Sequence, residues 1–395
     1  MASVKRCWAR VAVLGCVGFM LARPAVAEEK KQEAVPKIQV AILLDTSNSM
    51  DGLINQARTQ LWKIVNELTT VRLGGKAPKL EVALYEYGND GLPAKEGFLR
   101  MVVPMTGDLD KVSEAMFALK TNGGQEFCGR VIDAATRQLL WSTSSKDVKC
   151  IFVAGNEPFN QGDFDYAKAC KQAAAKGITV STIFCGTNAE GVQTFWQRGA
   201  QLADGSYMSI DQDQQLAAAP APQDKELAQL GVQLNATYLA YGDAKKRQEG
   251  LRRQAEQDVN AAKSPVGAAA ARAAFKASGQ YLNPDWDLVD AIQEGRVRLE
   301  SLAEDQLPDA VRSLSGVERK AYVEKLAAQR KNIQAKMAKL GETRKVYLAE
   351  QDRKLQAQMA ASRGSVGVQA KAAPAAAPSF ERAVTDAVKA AAQKK

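Results

Sequence analysis

Histidine is missing from the 395 residues of this sequence, and its absence removes several kinds of chemistry. Hydroxyl or thiol nucleophiles that an imidazole base activates are excluded, as are zinc sites with histidine ligands. A zinc site made only of cysteines has no support, because no two of the six cysteines are separated by two residues. The sequence also has no phosphate-binding loop of the Gly-x-x-x-x-Gly-Lys type. We therefore expect a protein that is not an enzyme.

Aromatic residues are scarce, at 6% of the chain, and an abundance of alanine in the second half favours helices there. Apolar runs long enough to cross a membrane are also lacking, and residues 11–21 are too few to span a bilayer. That run follows Lys5, Arg6 and Arg10 and precedes Ala25-Val26-Ala27, which is typical of a secretory signal peptide. We expect removal of residues 1–27 and a periplasmic or secreted mature protein without a transmembrane helix.

Two alternatives concern localisation and partners. Val13-Leu14-Gly15-Cys16 is similar to a lipoprotein cleavage box, which would place a lipid on Cys16, but the apolar run before it is very short. The formal net charge of +9 would suit nucleic acid, but solvated helix faces explain a modest basic excess, and no aromatic and basic platform accompanies it. We therefore expect no nucleic-acid partner.

Strand and helix patterns alternate between residues 37 and 212, after a charged tether at residues 28–36. The predicted strands are 37–44, 80–87, 98–103, 148–154, 178–184 and 206–210. The predicted helices are 51–71, 109–119, 128–140, 164–175 and 192–202. This order predicts an α/β domain with a doubly wound, mostly parallel sheet covered by helices on both faces. Ligands of such sheets bind beyond the carboxyl ends of the strands, at the switch point.

Strand signals stop near residue 213, and residues 213–360 are predicted to be α-helical. A capping box, Ser315-Gly316-Val317-Glu318, opens a long helix. Its apolar residues indicate a coiled coil or helical hairpin, with a single solvated helix as the alternative; they are Tyr322, Leu326, Ile333, Met337 and Leu340. A flexible linker is predicted at 361–378 and a short amphipathic helix at 379–395. That helix could dock on the protein, on a partner or on an acidic membrane surface, which would give peripheral envelope association.

Asp45, Ser47 and Ser49 stand at two-residue spacing at the end of the first buried strand. Alternate positions of an extended loop can direct three oxygens at one point, and carboxylate and hydroxyl oxygens suit Mg²⁺, Mn²⁺ or Ca²⁺. Capping of the next helix would explain one of these residues but not three at regular spacing. The sequence therefore predicts a divalent-cation site at this end of the strand.

The segment VAILLDTSNSM and the order of elements over residues 37–212 resemble the von Willebrand factor type A (VWA) domain and its metal-ion-dependent adhesion site. The resemblance implies a doubly wound sheet and cation-dependent, non-enzymatic binding of a protein ligand, here in adhesion or protein–protein interaction at the cell envelope. Two segments, FVAGNEPFNQGDFDYAKAC and NPDWDLVDAIQEGRVRLE, are also similar to secreted bacterial proteins in which helices follow this domain.

Two positions depart from the pattern of this family. The family's Gly-Gly-Thr loop is replaced by Gly-Gly-Gln125-Glu126, so Glu126 can take the place of the threonine oxygen as a metal ligand. An Asp-Gly pair of the family reads Ala154-Gly155 here, and Asn156 can contribute an oxygen directly or through water. Two acids would bind the ion more tightly but would weaken its attraction for an acidic ligand.

Two further questions remain open from the sequence. Cys128 and Cys185 should lie near the metal site and could form a disulfide in an oxidising compartment, or both could be buried thiols. The second functional hypothesis is a metal-independent envelope scaffold or sensor that acts through its helical region. A hydrolase with a metal-activated water near Asp45 and Glu126 is a third.

Overall fold

The computed structural model describes residues 35–213, 220–265, 267–364 and 379–395. The predicted signal peptide, the lipoprotein alternative at Cys16, and most of the predicted tether and linker lie outside these residues. Within them, no helix is both long and apolar enough to cross a membrane.

Six strands form one sheet in the described part of the chain, and their positions confirm the strand predictions. The strands are β1 (Lys37–Asp45), β2 (Lys79–Tyr87), β3 (Leu99–Thr106), β4 (Val148–Gly155), β5 (Thr179–Cys185) and β6 (Asp204–Ile210). Their spatial order is β3-β2-β1-β4-β5-β6. Every pair of neighbours is parallel except β2 and β3, which are antiparallel. The predicted fold class, a doubly wound and mostly parallel sheet, is confirmed.

Helices cover both faces of this sheet. They are α1 (Asp51–Thr69), α2 (Leu109–Ala118), α3 (Cys128–Gln138), α4 (Tyr166–Ala175), α5 (Asn188–Gln193) and α6 (Trp196–Gln201). The single helix predicted over 192–202 is wrong, because the chain forms two short helices there. Phe195 between them has a φ of 71°, in the left-handed region, and this interrupts the helix.

Two apolar layers lie on opposite faces of the sheet, and alternation along β1 assigns its side chains to them. Val40, Ile42 and Leu44 belong to the layer that contains the buried face of α1. Ala41 and Leu43 belong to the layer that contains α3. Because β1 is central and buried on both faces, its last residue emerges in the middle of the sheet's carboxyl edge.

Seven helices follow the sheet in the described residues, which agrees with the predicted helical region. They are α7 (Asp224–Asn235), α8 (Ala244–Lys263), α9 (Ala268–Lys276), α10 (Leu288–Gln293), α11 (Asp309–Arg312), α12 (Gly316–Gly364) and α13 (Phe380–Gln393). The predicted capping box opens α12, since Ser315 N donates to Glu318 Oε2 at 2.9 Å and Glu318 N donates to Ser315 Oγ at 3.4 Å.

Helix α12 packs on α7, α9 and α10 of the same chain. Leu326 and Met337, two residues of the predicted apolar seam, are 7% and 0% exposed in these contacts. The seam is thus used for packing within the chain.

Helix α13 docks on α1 and over strands β4 to β6. Phe380, Val384 and Val388 are fully buried and belong to the same apolar layer as α1. Ion pairs border this contact, with Lys389 Nζ 2.7 Å from Glu67 Oε2. Of the three surfaces considered for this helix, the structure shows docking on the protein itself.

Candidate metal centre

Asp45 ends β1, which pairs with β2 on one side and β4 on the other, so it lies at the switch point of the sheet. Its side chain is fully buried. Oδ1 accepts a hydrogen bond from Ser47 N at 2.8 Å, whereas Oδ2 has no hydrogen-bond partner among the described residues. Burial, reinforced by the nearby Glu126 and Glu157, raises the pKa of Asp45 to about 8. A carboxylate buried in this way needs a cation or a proton.

Ser47 and Ser49 lie in the loop that follows Asp45, and their hydroxyl oxygens are 3.4 Å apart. Adjacent ligands of one Mg²⁺ or Ca²⁺ ion are about 3 to 3.5 Å apart, given the usual metal–oxygen distances. Asn156, from the loop after β4, donates from Nδ2 to Ser49 Oγ at 3.1 Å. Its Oδ1 is buried and has no partner within the described ranges. The structure therefore brings these two loops together at one point.

Glu126 precedes α3 and is 6% exposed. Its backbone N donates to Gln161 Oε1 at 2.8 Å, which holds this turn of the chain in place. Burial, followed by the charge of Glu157, raises the pKa of the Glu126 carboxyl to about 7. Glu126 thus faces the same acidic environment as Asp45, although 81 positions separate them in the sequence.

Two glycines make room for these carboxylates. A methyl group at Gly88 would lie 2.7 Å from Asp45 Oδ1 and 2.8 Å from Glu126 Cγ, and Gly88 also has a φ of 78°. A methyl group at Gly155 would lie 2.9 Å from Asp45 Oδ2 and 2.7 Å from Tyr87 Oη. Only glycine fits at either position. The role of neither glycine was predicted from the sequence, although each directly follows a predicted strand.

Two other contributors were missed. Tyr87, the last residue of β2, is buried and donates from Oη to Ala154 O at 3.0 Å, which ties the ends of β2 and β4 together around Asp45. Gln212, just after β6, donates from Nε2 to Ser49 O at 2.9 Å and so holds the loop of Ser47 and Ser49 in place. Glutamine after a strand carries no sequence signal for such a role.

The predicted disulfide between Cys128 and Cys185 is not formed. All four cysteines of the described residues are buried free thiols. Cys128 opens α3 in one apolar layer, whereas Cys185 faces the opposite layer at the end of β5. The two thiols therefore belong to different apolar layers and are not bonded to each other.

The donor set restricts the kind of metal. Within the described residues, no three side chains of the His, Cys, Asp and Glu types cluster in a way that could hold an ion. A cation at this site would therefore depend on serine hydroxyl and amide oxygens in addition to Asp45 and Glu126. These are all hard oxygen donors, and the unpaired Oδ atoms of Asp45 and Asn156 remain available. The residues fit Mg²⁺, Mn²⁺ or Ca²⁺.

A doubly wound sheet with an acid and two hydroxyls at its switch point defines a ligand-binding α/β domain. Residues 39–195 match the family model of the von Willebrand factor type A domain. The chain therefore contains a VWA domain, and the family that the motif suggested is confirmed. No curated protein sequence matches the chain.

Several solved structures are similar to part of the chain. BatB from Bacteroides thetaiotaomicron, a conserved hypothetical protein, is 20% identical over 44% of this chain and 90% of its own, with a TM-score of 0.34. A von Willebrand factor type A protein from Catenulispora acidiphila is 19% identical over 45% of this chain and 39% of its own, with a TM-score of 0.33. Proximal thread matrix protein 1 from the mussel byssus, solved with a zinc-occupied MIDAS motif, is 11% identical over 46% and 43%, with a TM-score of 0.33. Similarity at this level carries no information on what the chain binds.

Proposed function

We propose that this protein is a periplasmic or secreted binding protein whose VWA domain holds a divalent cation and, through it, a protein ligand at the cell envelope. Asp45, Ser47 and Ser49 would hold the ion, and Glu126 and Asn156 would complete its protein ligands. Mg²⁺ is the ion we favour, with Mn²⁺ and Ca²⁺ as alternatives. The extracytoplasmic location rests on the signal-peptide pattern of residues 1–27.

The observation that carries this proposal is the state of the Asp45 carboxylate. It is fully buried, one oxygen has no hydrogen-bond partner among the described residues, and acids rather than bases surround it. A divalent cation would offset this burial, and it would supply an electrophilic centre for an oxygen of the ligand. In the adjoining loops, two serine hydroxyls and the Asn156 amide contact one another at hydrogen-bonding distances, with Ser49 between the other two.

A non-enzymatic role agrees with the chemistry present. VWA domains are typically interaction modules, and the chain has no histidine to move protons. The hydroxyl of Ser47 contacts that of Ser49 at 3.4 Å, and Ser49 accepts a hydrogen bond from Asn156, so both hydroxyls belong to the proposed set of metal ligands.

Isothermal titration calorimetry of the purified mature protein with Mg²⁺, Mn²⁺ and Ca²⁺ tests the site. Asp45→Asn removes the charge and keeps the shape, and Asp309→Asn is the control, since that carboxylate is 81% exposed on α11. We expect one ion to bind the wild type and the control, and binding to be lost in Asp45→Asn with an unchanged circular dichroism spectrum. Failure of the wild type to bind any of the three ions at millimolar concentration would favour the metal-independent scaffold.

A pull-down from an envelope extract, with and without chelator, tests the second half of the proposal. A protein ligand should be retained with Mg²⁺ and released by chelator, and Asp45→Asn should not retain it. Retention that ignores both chelator and the substitution would place the binding surface elsewhere on the chain.

A further inference from the structure

Three other acidic side chains lie near Asp45 at the candidate metal centre. Glu126 and Glu157 both act on Asp45, and Glu157 and Asp90 both act on Glu126. Asp90 lies next to the Gly-Gly loop, since its backbone N donates to Gly123 O at 2.5 Å. Glu157 directly follows Asn156, and its backbone oxygen accepts a hydrogen bond from Trp196 Nε1 at 2.8 Å. We call Asp90, Glu126 and Glu157 the acidic rim.

Two arginine side chains on adjoining elements are paired with other acids. Arg130 on α3 forms a two-pronged contact with Asp163, with nitrogen–oxygen distances of 2.7 and 2.9 Å. Arg100 on β3 pairs with Glu86. Among the described residues, the charged groups that act most strongly on Asp45 and Glu126 are all acids. Arg130 and Arg100 are therefore engaged with acids outside the rim.

A bound divalent cation would balance only part of the negative charge at this site. One divalent cation balances Asp45 and Glu126, the two acids that would coordinate it. Asp90 is exposed and Glu157 is half-buried, so both remain at the surface with uncompensated negative charge. A carboxylate ligand approaching the ion would meet these two charges and be repelled, whereas a lysine or arginine side chain would be attracted.

The acidic rim is negatively charged, whereas the protein as a whole carries a positive net charge. The chain carries a formal net charge of +9, so nonspecific attraction favours acidic partners. A local region of the opposite sign, built around a fully buried acid with an unpaired oxygen, marks a site rather than general surface charge.

An aromatic pair borders the same region and suits a basic guest. The Phe127 ring, next to Glu126 in sequence, is 6.1 Å from the ring of Phe98, and Phe98 O accepts a hydrogen bond from Gly88 N at 2.9 Å. Phe98 has a φ of 52°, an unfavourable conformation for an aromatic residue that the surroundings must hold in place. The chain's own Arg130 lies 5.9 Å from the Phe127 ring centroid, which shows a cation–π contact at the edge of this region.

We infer that the ligand of this site is a basic segment of a partner protein, whose lysine or arginine side chain pairs with Glu157 and Asp90 beside the ion. This inference rests on the proposed function for the presence of the ion. The expectation of a basic ligand follows from the acidic rim. It distinguishes this domain from one that recruits an acidic side chain to its metal.

Fluorescence anisotropy with two labelled 12-residue peptides tests the inference. One peptide alternates lysine and arginine with serine and glycine, and the other carries glutamate at the same positions. Both are titrated with the mature protein in about 0.15 M salt, where screening suppresses long-range attraction, with Mg²⁺ and with chelator. The double variant Glu157→Gln/Asp90→Asn is compared with Glu300→Gln/Glu304→Gln, which removes the same charge at exposed positions of the helical region.

We expect the basic peptide to bind the wild type and the control pair alike, and the rim variant to bind it at least about threefold more weakly. Tighter binding of the acidic peptide, or equal losses in both double variants, would overturn the inference. Calorimetry of Mg²⁺ binding separates this from the proposed function. If the ion binds without a preference for the basic peptide, the inference fails and the metal site stands. If calorimetry detects no ion and the basic peptide still binds through the rim, the ligand class stands and the metal site fails.

Discussion

Arg272 on α9 and Asp110 at the start of α2 form a salt bridge whose side chains are only 2% and 4% exposed. Tyr281 Oη donates to the same carboxylate at 2.6 Å, and the Arg272 guanidinium lies 4.6 Å from the ring centroid of Trp62 on α1. Arg272 therefore joins two helices of the sheet to the helices that follow it. A buried ion pair of this kind requires both partners, so α9 is part of the environment on which α2 depends.

Replacing Arg272 by methionine should lower the free energy of unfolding by about 3 to 5 kcal/mol, because Asp110 would stay buried without its cation. Urea denaturation followed by circular dichroism measures this. Arg252→Ala is the matched control, since Arg252 on α8 pairs with Glu114 and Glu256 but is 46% exposed, and its loss should cost less than about 1 kcal/mol. Equal losses of unfolding free energy in the two variants would show that burial does not increase the contribution of this salt bridge to stability.

Removing the Phe380 side chain tests whether α13 belongs to the cooperative fold. Phe380 is fully buried against α1, and Phe380→Ala should cost about 3 to 5 kcal/mol of stability. Val317→Ala is the control, because Val317 is 83% exposed and its truncation should change stability by no more than about 0.5 kcal/mol. A single unfolding transition at lower denaturant is expected. An unchanged main transition would mean that α13 docks independently.

Gly155→Ala should damage the candidate metal centre directly. The new methyl group would lie 2.9 Å from Asp45 Oδ2 and 2.7 Å from Tyr87 Oη, so these groups must move apart. We expect Mg²⁺ affinity to fall at least about tenfold, and stability to fall by about 1 to 3 kcal/mol. Calorimetry and thermal melts measure the two effects. Gly279→Ala is the control, since nothing lies within 4 Å of its added methyl group, and it should leave ion binding intact.

The stability of the metal-free protein should depend on pH through Asp45 and Glu126. Their pKa values are raised to about 8 and about 7, so folding favours their protonated forms. The stabilisation is complete below the unfolded pKa values, near 4, and is lost as pH rises through 7 and 8. Thermal melts in chelator should therefore fall in midpoint between pH 5 and 9.

Asp45→Asn provides the comparison for this pH effect. Without ion it should be more stable than the wild type at pH 9 and similar to it near pH 4, because the amide carries no charge to bury. Added Mg²⁺ should raise the wild-type midpoint most at high pH, where it no longer competes with protons. A midpoint that is independent of pH in both proteins would contradict the burial of an ionised Asp45.

The fold was largely predictable because its signals are local. Strands such as IQVAILL and ITVSTIF are continuous apolar runs, and such runs specify strands buried on both faces. The prediction failed at Phe195, where a positive φ is imposed by packing rather than by a glycine that the sequence would reveal.

The residues of the candidate metal site also differ in whether local sequence signals predict them. Asp45, Ser47 and Ser49 share one loop, so the regular spacing after a buried strand was enough to predict them as ligands of one ion. Three further residues act through contacts with other elements of the fold, namely Gly88, Tyr87 and Gln212. The sequence around each of them contains no pattern that predicts these contacts.

The sequence by itself determined which segments become strands and helices and where the oxygen-bearing loop follows the first strand, since these depend on neighbours within a few positions. Only the tertiary structure decided that Glu157 acts on Asp45, that Cys128 and Cys185 belong to opposite layers, and that Arg272 and α13 pack against the helices of the sheet. Those outcomes depend on the order of the strands in the sheet and on the face of the sheet to which each side chain points. Both properties are determined by contacts between residues that are far apart in the chain.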